Sequence, residues 1–440
     1  MADLSIVYDR MSADPLDGAD LKAYYINLFA GRGDNPILPL KRRLENSPAG
    51  KLQILFSGYR GCGKSTELNK LKSEIQHEFI VLHYSVLHEL DPININYVEL
   101  FIITMEKLFG VAETEKVPIS NSLLRSVQAW VESEEIQKVR DLSVTTGMEA
   151  GADAEFSVPW FVKFFAKIRF AGNASFSNKR TITETIEHRL SDLITHCNDL
   201  IREIKLKLSQ VGKKGLLVII EDMDKLSLEK SEELFFRHSH ILTSLEANVI
   251  FTLPVSLRYH PNATTIKGNF DEDFELPMVK VSLKNGSPNP EGREGLLAIL
   301  ESRIGLACFE TPAVAESFIA ASGGCLRDLF RMVRDAADNA LNENRDVILK
   351  VDYKKAFLKL KRDYENTIAD KVDEDNKVIT GVKTYFDVLV AVAKSETKKV
   401  DNTAAALDLR QNLCLLGYND EGWCDVHPVV KEILKERKLI

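Results

Sequence analysis

Hydrophobic positions along the chain follow two different periods. Leu52-Gln-Ile-Leu-Phe56 and Leu216-Leu-Val-Ile-Ile220 are short, nearly continuous apolar runs, and Asn248-Val-Ile-Phe-Thr-Leu-Pro254 is a third. Runs of that length are what strands buried on both faces require. Elsewhere the spacing is helical. Thr66–Ile75 carries Leu68, Leu71 and Ile75 on one face, and 181–208 carries a stripe of Ile186, Leu190, Leu193, Ile194, Leu200, Ile201 and Ile204. Further helices are predicted over 132–142, 294–303, 313–321 and 327–341, with Gly323-Gly324 breaking the last two apart. The tail reads as helices over 384–394 and 404–411, a turn-rich hairpin at 418–423 and a final segment, 425–434. Buried strands alternating with helices predict an α/β chain, a parallel sheet with helices on both faces.

The turn between the first strand and its helix is the most informative stretch. Residues 58–66 read GYRGCGKST, the pattern G-x-x-x-x-G-K-[ST]. Gly58, Gly61 and Gly63 let the backbone wrap and turn its N–H groups inward, at a helix N-terminus whose partial charge attracts phosphate. Lys64 is then placed to reach the β- and γ-phosphates, and the Ser65 hydroxyl to ligate Mg²⁺. Arg60, Cys62 and Thr66 complete the stretch as nucleotide-contacting candidates. A thiol at a helix N-terminus is acidified, which would make Cys62 redox-sensitive; a small residue that fits the loop is the simpler reading.

Hydrolysis needs acids opposite that loop. The second apolar run ends in Glu221-Asp222-Met223-Asp224. As in P-loop ATPases, Glu221 is expected in the Mg²⁺ shell beside Asp222, which would polarise water, while Asp224 is assigned to the following turn. Thr252 stands at the C-terminal end of the third strand, where open parallel sheets hold ligands. There it could touch the γ-phosphate or the attacking water.

These residues together resemble the AAA+/STAND group of P-loop ATPases, including initiator-like and KAP-like bacterial ATPases. Phe29-Ala-Gly-Arg-Gly-Asp34 is similar to the entry segment that lines the adenine pocket there, which implies a nucleotide contact for Arg32. Gly323-Gly-Cys-Leu-Arg327 is similar to the start of the lid helix, which makes Arg327 a second nucleotide sensor. Val426-His-Pro-Val-Val430 resembles the winged-helix end of STAND switches, where a histidine contacts ADP; here that is His427. Arg258, just past the third strand, is a candidate arginine finger. The resemblance spans about residues 22–345. It implies a P-loop NTPase sheet over 22–280 with a mostly helical insertion near 115–212, behind an N-terminal segment, 1–21. A helical lid over 281–375 and a winged-helix domain over 376–440 would follow. ATP/ADP and Mg²⁺ are the implied cofactors.

The expected function is an ATP-hydrolysing regulatory switch whose nucleotide state controls assembly with itself or with a separate effector or sensor protein. A bacterial defence role fits that layout. A DNA-acting initiator or transposition regulator is the first alternative, a non-hydrolysing nucleotide-gated scaffold the second. With 440 residues there is room for two or three domains. A net charge of −8 does not advertise nucleic acid, and acids and bases roughly balance in the tail, so DNA is not the favoured partner. Six cysteines without a C-x-x-C pair fit a reducing cytoplasm. The N-terminus lacks the basic start and apolar core of a secretory signal. No stretch of about 18 uncharged apolar residues exists, so no spanning helix is expected. The aromatic, basic stretch 154–180 sits where KAP-like relatives carry membrane helices, but Lys163, Lys167 and Arg169 interrupt it. A projecting hairpin or short helix that docks a partner or a neighbouring subunit is one expectation there; a packed satellite core of the insertion is the other.

Overall fold

The computed structural model describes residues 4–47, 49–91, 95–137, 139, 157–373, 375–418 and 422–440. Five strands form its central sheet: β1 (Gln53–Gly58), β2 (Phe79–Ser85), β3 (Gly215–Glu221), β4 (Asn248–Leu253) and β5 (Glu272–Leu276). Their order is β2-β3-β4-β1-β5 and every pairing is parallel. This is the P-loop NTPase fold that the sequence implies. The three central strands are the three apolar runs, buried at every position. The edge strands β2 and β5 escape the periodicity. β5 reads Glu-Asp-Phe-Glu-Leu, because an edge strand can carry acids on its open side.

One core fills the space between the sheet and the helices Tyr97–Thr114, Val158–Ala174 and Leu190–Gln210. It favours the packed reading of 154–180 over the projecting one. Phe161, Phe164, Phe165 and Ile168 follow the i, i+3, i+4, i+7 spacing of one helix face, and that face is buried against Tyr97–Thr114. Phe109 stacks on Phe161 with ring centroids 4.9 Å apart. Two of its basic residues, Arg169 and Lys179, turn inward too. Arg169 Nε donates to Glu106 at 2.8 Å and Lys179 pairs with Glu99 at 2.9 Å. The stretch is a packed layer continuous with the sheet core, not a projecting hairpin; residues 154–156 lie outside the described residues. The helix expected over 181–208 is two helices, Phe176–Glu187 and Leu190–Gln210. Of that expected over 132–142, residues 134–137 and 139 are helical, and 138 and 140–142 are not among the described residues.

A second core joins the helices Pro290–Ile304, Pro312–Ser322, Leu326–Asn342 and Lys350–Thr367, which stand where the helical lid is expected, to the C-terminal elements. Those are the helices Val382–Lys394 and Ala404–Gln411, an antiparallel hairpin of Leu415–Tyr418 and Trp423–Val426, and the helix Pro428–Glu436. They stand where the winged helix is expected. The short helix Ile6–Arg10 packs into the same core, against Pro290–Ile304 and Leu326–Asn342. Among the described residues no helix is long and apolar enough to cross a membrane.

Candidate nucleotide-binding site

The site begins where β1 ends. Gly63 caps the helix Lys64–Ile75 in the left-handed conformation, φ +100°, which only glycine adopts without strain. Gly61, at φ +76°, is needed for space as well: a Cβ there would stand 2.7 Å from that of Arg327. Lys64 folds back beneath the loop. Its ammonium donates to the carbonyls of Gly58 (2.8 Å) and Tyr59 (3.1 Å) and meets Asp224 Oδ2 at 2.9 Å. Both partners of that ion pair are buried. Burial alone would neutralise each, but the opposite charge outweighs it, so the lysine is held above its ordinary range and the Asp224 carboxyl below its own. Asp224, read from sequence as a turn residue, is therefore part of the site.

The acid loop is built from β3 and braced by β2. Glu221 Oε2 accepts from His83 Nε2 at 2.9 Å, while its Oε1 is buried without a protein hydrogen-bond partner. Asp222 has φ +68°, a left-handed conformation that a carboxylate residue tolerates better than most. Both its oxygens are engaged, Oδ2 by Ser85 Oγ at 2.5 Å and Oδ1 by Lys225 Nζ at 2.6 Å. His83 and Ser85 alternate onto one face of an edge strand. Sequence reasoning passed over both, since only the parallel register Ser85↔Glu221 brings them to the acids.

Two openings meet at the loop. A cleft is lined by Lys64, Ser65, Glu221, Asp222, Asp224 and Arg327. A smaller cavity lies on the other side, with Tyr24, Tyr25, Leu28, Arg32, Leu326 and Phe330 among its walls. Gly61, Gly63, Thr66 and Arg327 border both. The first is polar and acid-lined, as a phosphate and metal site needs; the second is walled by aromatic and aliphatic groups, as a base needs. The lid reaches the loop directly, for Leu326 N–H donates to the Gly61 carbonyl at 3.0 Å. Arg327 is half-buried and has no carboxylate within ion-pair distance among the described residues.

The other expected residues divide into those brought here and those taken elsewhere. Arg32 is fully buried and donates to the carbonyls of Cys62, at 2.6 Å, and Pro277, so it ties the entry segment to the loop. Arg60 borders the cleft and donates to the Lys225 carbonyl at 3.3 Å. Thr66 Oγ1 accepts from Leu16 N–H at 3.2 Å, which straps the N-terminal segment over the loop helix. Cys62 is fully buried, in keeping with a residue that simply fits. Three assignments need correction. Thr252 is buried and does not border the cleft; its hydroxyl accepts from Met223 N–H at 3.1 Å and bonds the Ile220 carbonyl, so it shapes the acid loop from behind. His427 is fully buried between lid and tail. Its Nδ1 accepts from Val429 N–H at 3.2 Å, which leaves Nε2 to donate to the Ser322 carbonyl at 3.1 Å, with Asp328 at 3.3 Å. It touches neither opening. Arg258 is held by Asp273 and Glu275 of β5, and is not free to reach a neighbouring subunit's nucleotide.

The donor set suits Mg²⁺. Ser65, Glu221 and Asp222 border one cleft and Glu221 Oε1 lacks a protein partner. A Mg²⁺ ion is usually bound by one or two carboxylates, with the remaining positions left to phosphate and water.

Residues 40–253, a little under half of the chain, match the KAP family P-loop domain. No curated protein matches the chain. Solved structures to which it is similar include Cdc6p from Pyrobaculum aerophilum, at 12% identity over 96% of this chain and 98% of that one, TM-score 0.39. The ORC2 protein of Aeropyrum pernix in its ADP form gives 12% over 98% of each chain, TM-score 0.40. The RuvB Holliday junction branch migration motor of Thermotoga maritima gives 11% over 94% and 95%, TM-score 0.37.

Proposed function

We propose, with the P-loop NTPase domain as premise, that this chain is an ATP-binding and hydrolysing switch of AAA+/STAND type. Its nucleotide state sets the lid and tail, and through them assembly with itself or with a separate effector or sensor protein. The observation that carries the reading is the contact of lid and phosphate loop, where Leu326 N–H meets the Gly61 carbonyl and Arg327 borders both openings. A nucleotide lying across the two must touch loop and lid together, so it binds one lid position better than another, which is what shifts a conformational equilibrium.

In this reading the loop N–H groups and Lys64 hold the phosphates, and Arg327 adds positive charge from the lid. Ser65, Glu221 and Asp222 would hold Mg²⁺, which supplies neutralising charge to the phosphate oxygens when bound. Asp222 orients the attacking water once Lys225 gives it up. The fold suits a cytoplasmic protein, and a role in bacterial defence is compatible with a switch whose effector is another chain.

One observation favours a second reading. Both Asp222 oxygens are engaged within the chain, which suits a nucleotide-gated scaffold that binds ATP without turning it over. ATP turnover and mass in solution, measured for the wild type, Lys64→Ala and Asp222→Asn with and without duplex DNA, decide between them. The switch requires turnover in the wild type, its loss in both variants and a nucleotide-dependent mass without DNA. Binding without turnover selects the scaffold. A severalfold rise in turnover with DNA selects an initiator-like ATPase instead.

A further inference from the structure

We propose that His83 is a positioning residue that fixes Glu221 for the divalent cation, an inference that rests on the metal-assisted nucleotide site above. Glu221 ends β3, and β2 runs beside it in parallel register with Ser85 opposite Glu221. His83, two residues earlier, projects from the same side of β2 and reaches Glu221 Oε2 through Nε2 at 2.9 Å. Each side chain is only 11% exposed, so the contact is made away from bulk water. Both residues border the cleft that holds Lys64 and Ser65.

The chemistry assigns a division of labour to the two carboxylate oxygens. A glutamate has one more rotatable bond than an aspartate, so a glutamate in the metal position needs a partner to hold its carboxylate in one orientation. His83 supplies it by occupying Oε2, and it is the donor, because a carboxylate only accepts. The opposite oxygen, Oε1, is buried and has no hydrogen-bond partner in the chain. A buried carboxylate oxygen is costly to leave bare, and a cation in the cleft would satisfy it. An imidazole donating to a metal-holding carboxylate is an outer support, and loss of such a support weakens metal affinity by about ten- to a hundredfold.

The test separates metal from nucleotide. Mn²⁺ is titrated by electron paramagnetic resonance in the presence of saturating ADP, and ADP binding is measured separately in EDTA. His83→Ala is expected to weaken Mn²⁺ by about ten- to a hundredfold while ADP binding in EDTA stays within about twofold. His83→Gln, whose amide N–H can take the place of Nε2–H, is expected to return Mn²⁺ binding to within about threefold of the wild type. Unchanged Mn²⁺ affinity in His83→Ala overturns the proposal. So does a parallel loss of ADP binding in EDTA, which would make His83 a support of the loop rather than of Glu221. If the wild type binds Mn²⁺ no differently from ADP alone in solution, or if Glu221→Gln binds it as tightly as the wild type, the metal site itself is wrong and His83 falls with it; the wild-type titration alone identifies the first case.

Discussion

Asp224→Asn isolates the ion pair that closes the phosphate loop. Lys64 and Asp224 are both buried with 2.9 Å between charged atoms. At that distance, with an effective dielectric constant near 20, the attraction is about 6 kcal/mol, most of it offset by the cost of taking both charges out of water. Removing one partner of such a pair costs about 3–5 kcal/mol, because the other is left buried and uncompensated. Lys64 keeps the Gly58 and Tyr59 carbonyls, so the lower end applies, about 3 kcal/mol. Without nucleotide the variant is expected to unfold at lower temperature or urea concentration by that amount. Nucleotide reverses the sign. In the wild type an incoming phosphate competes with Asp224 for the ammonium; in Asp224→Asn it does not, and ATP binding measured in EDTA should tighten by about ten- to a hundredfold. A double-mutant cycle with Lys64→Ala tests the coupling itself, since removing both charges should cost less than the two single changes added. If Asp224→Asn is as stable as the wild type and binds ATP with the same affinity, the pair does not compete with phosphate and the reasoning fails.

Two further substitutions probe the tail. Tyr59 OH accepts from Arg410 at 2.6 Å in a buried contact, so Tyr59→Phe leaves a guanidinium N–H bare; it should cost about 1–3 kcal/mol in urea unfolding and expose the segment 404–426 to limited proteolysis. His427→Ala removes a partner of Asp328 and of the Ser322 carbonyl and should lower stability by about 1–3 kcal/mol, with ATP affinity unchanged; a loss of ATP affinity in a folded variant would return His427 to the nucleotide.

What was legible in the sequence is what local chemistry demands. A loop that wraps phosphate needs glycines in a fixed order, and strands buried on both faces need unbroken apolar residues, so Gly58–Ser65 and the three central strands could be read directly. β2 and β5 could not, because each has one open flank and a mixed pattern. His83, Ser85 and Asp224 were hidden for a different reason. Their partners come from elsewhere in the chain: the register of β2 on β3 brings His83 and Ser85 to the acids, and the turn after β1 brings Lys64 to Asp224. Arg258 and His427 mislead in the opposite sense. Each stands at a position where the resemblance implies a nucleotide contact, but Asp273 and Glu275 take the first, and Asp328 and Ser322 the second. A motif fixes residue type, and the partner decides the role.

The contacts around the loop also explain how so short a segment could set the state of the whole chain. Four of the residues 59–64 are claimed by four different elements. Arg410 of the tail holds Tyr59, Leu326 of the lid holds Gly61, Arg32 of the entry segment holds Cys62, and Asp224 of the acid loop holds Lys64. An ordinary hydrogen bond of this kind is worth about 1 kcal/mol net, with the buried ion pair worth somewhat more. Ligand-driven couplings between sites typically span about 1–3 kcal/mol. A phosphate that makes the loop give up one or two of these contacts therefore works on the same energy scale as the docking it would release. The loop has little freedom to absorb the change itself, because Gly61 already lies against Arg327 and Gly417 against the ring of Tyr59, where a Cβ would come within 2.6 Å of the hydroxyl. In the switch reading proposed above, movement at the phosphate site would then appear as movement of lid or tail.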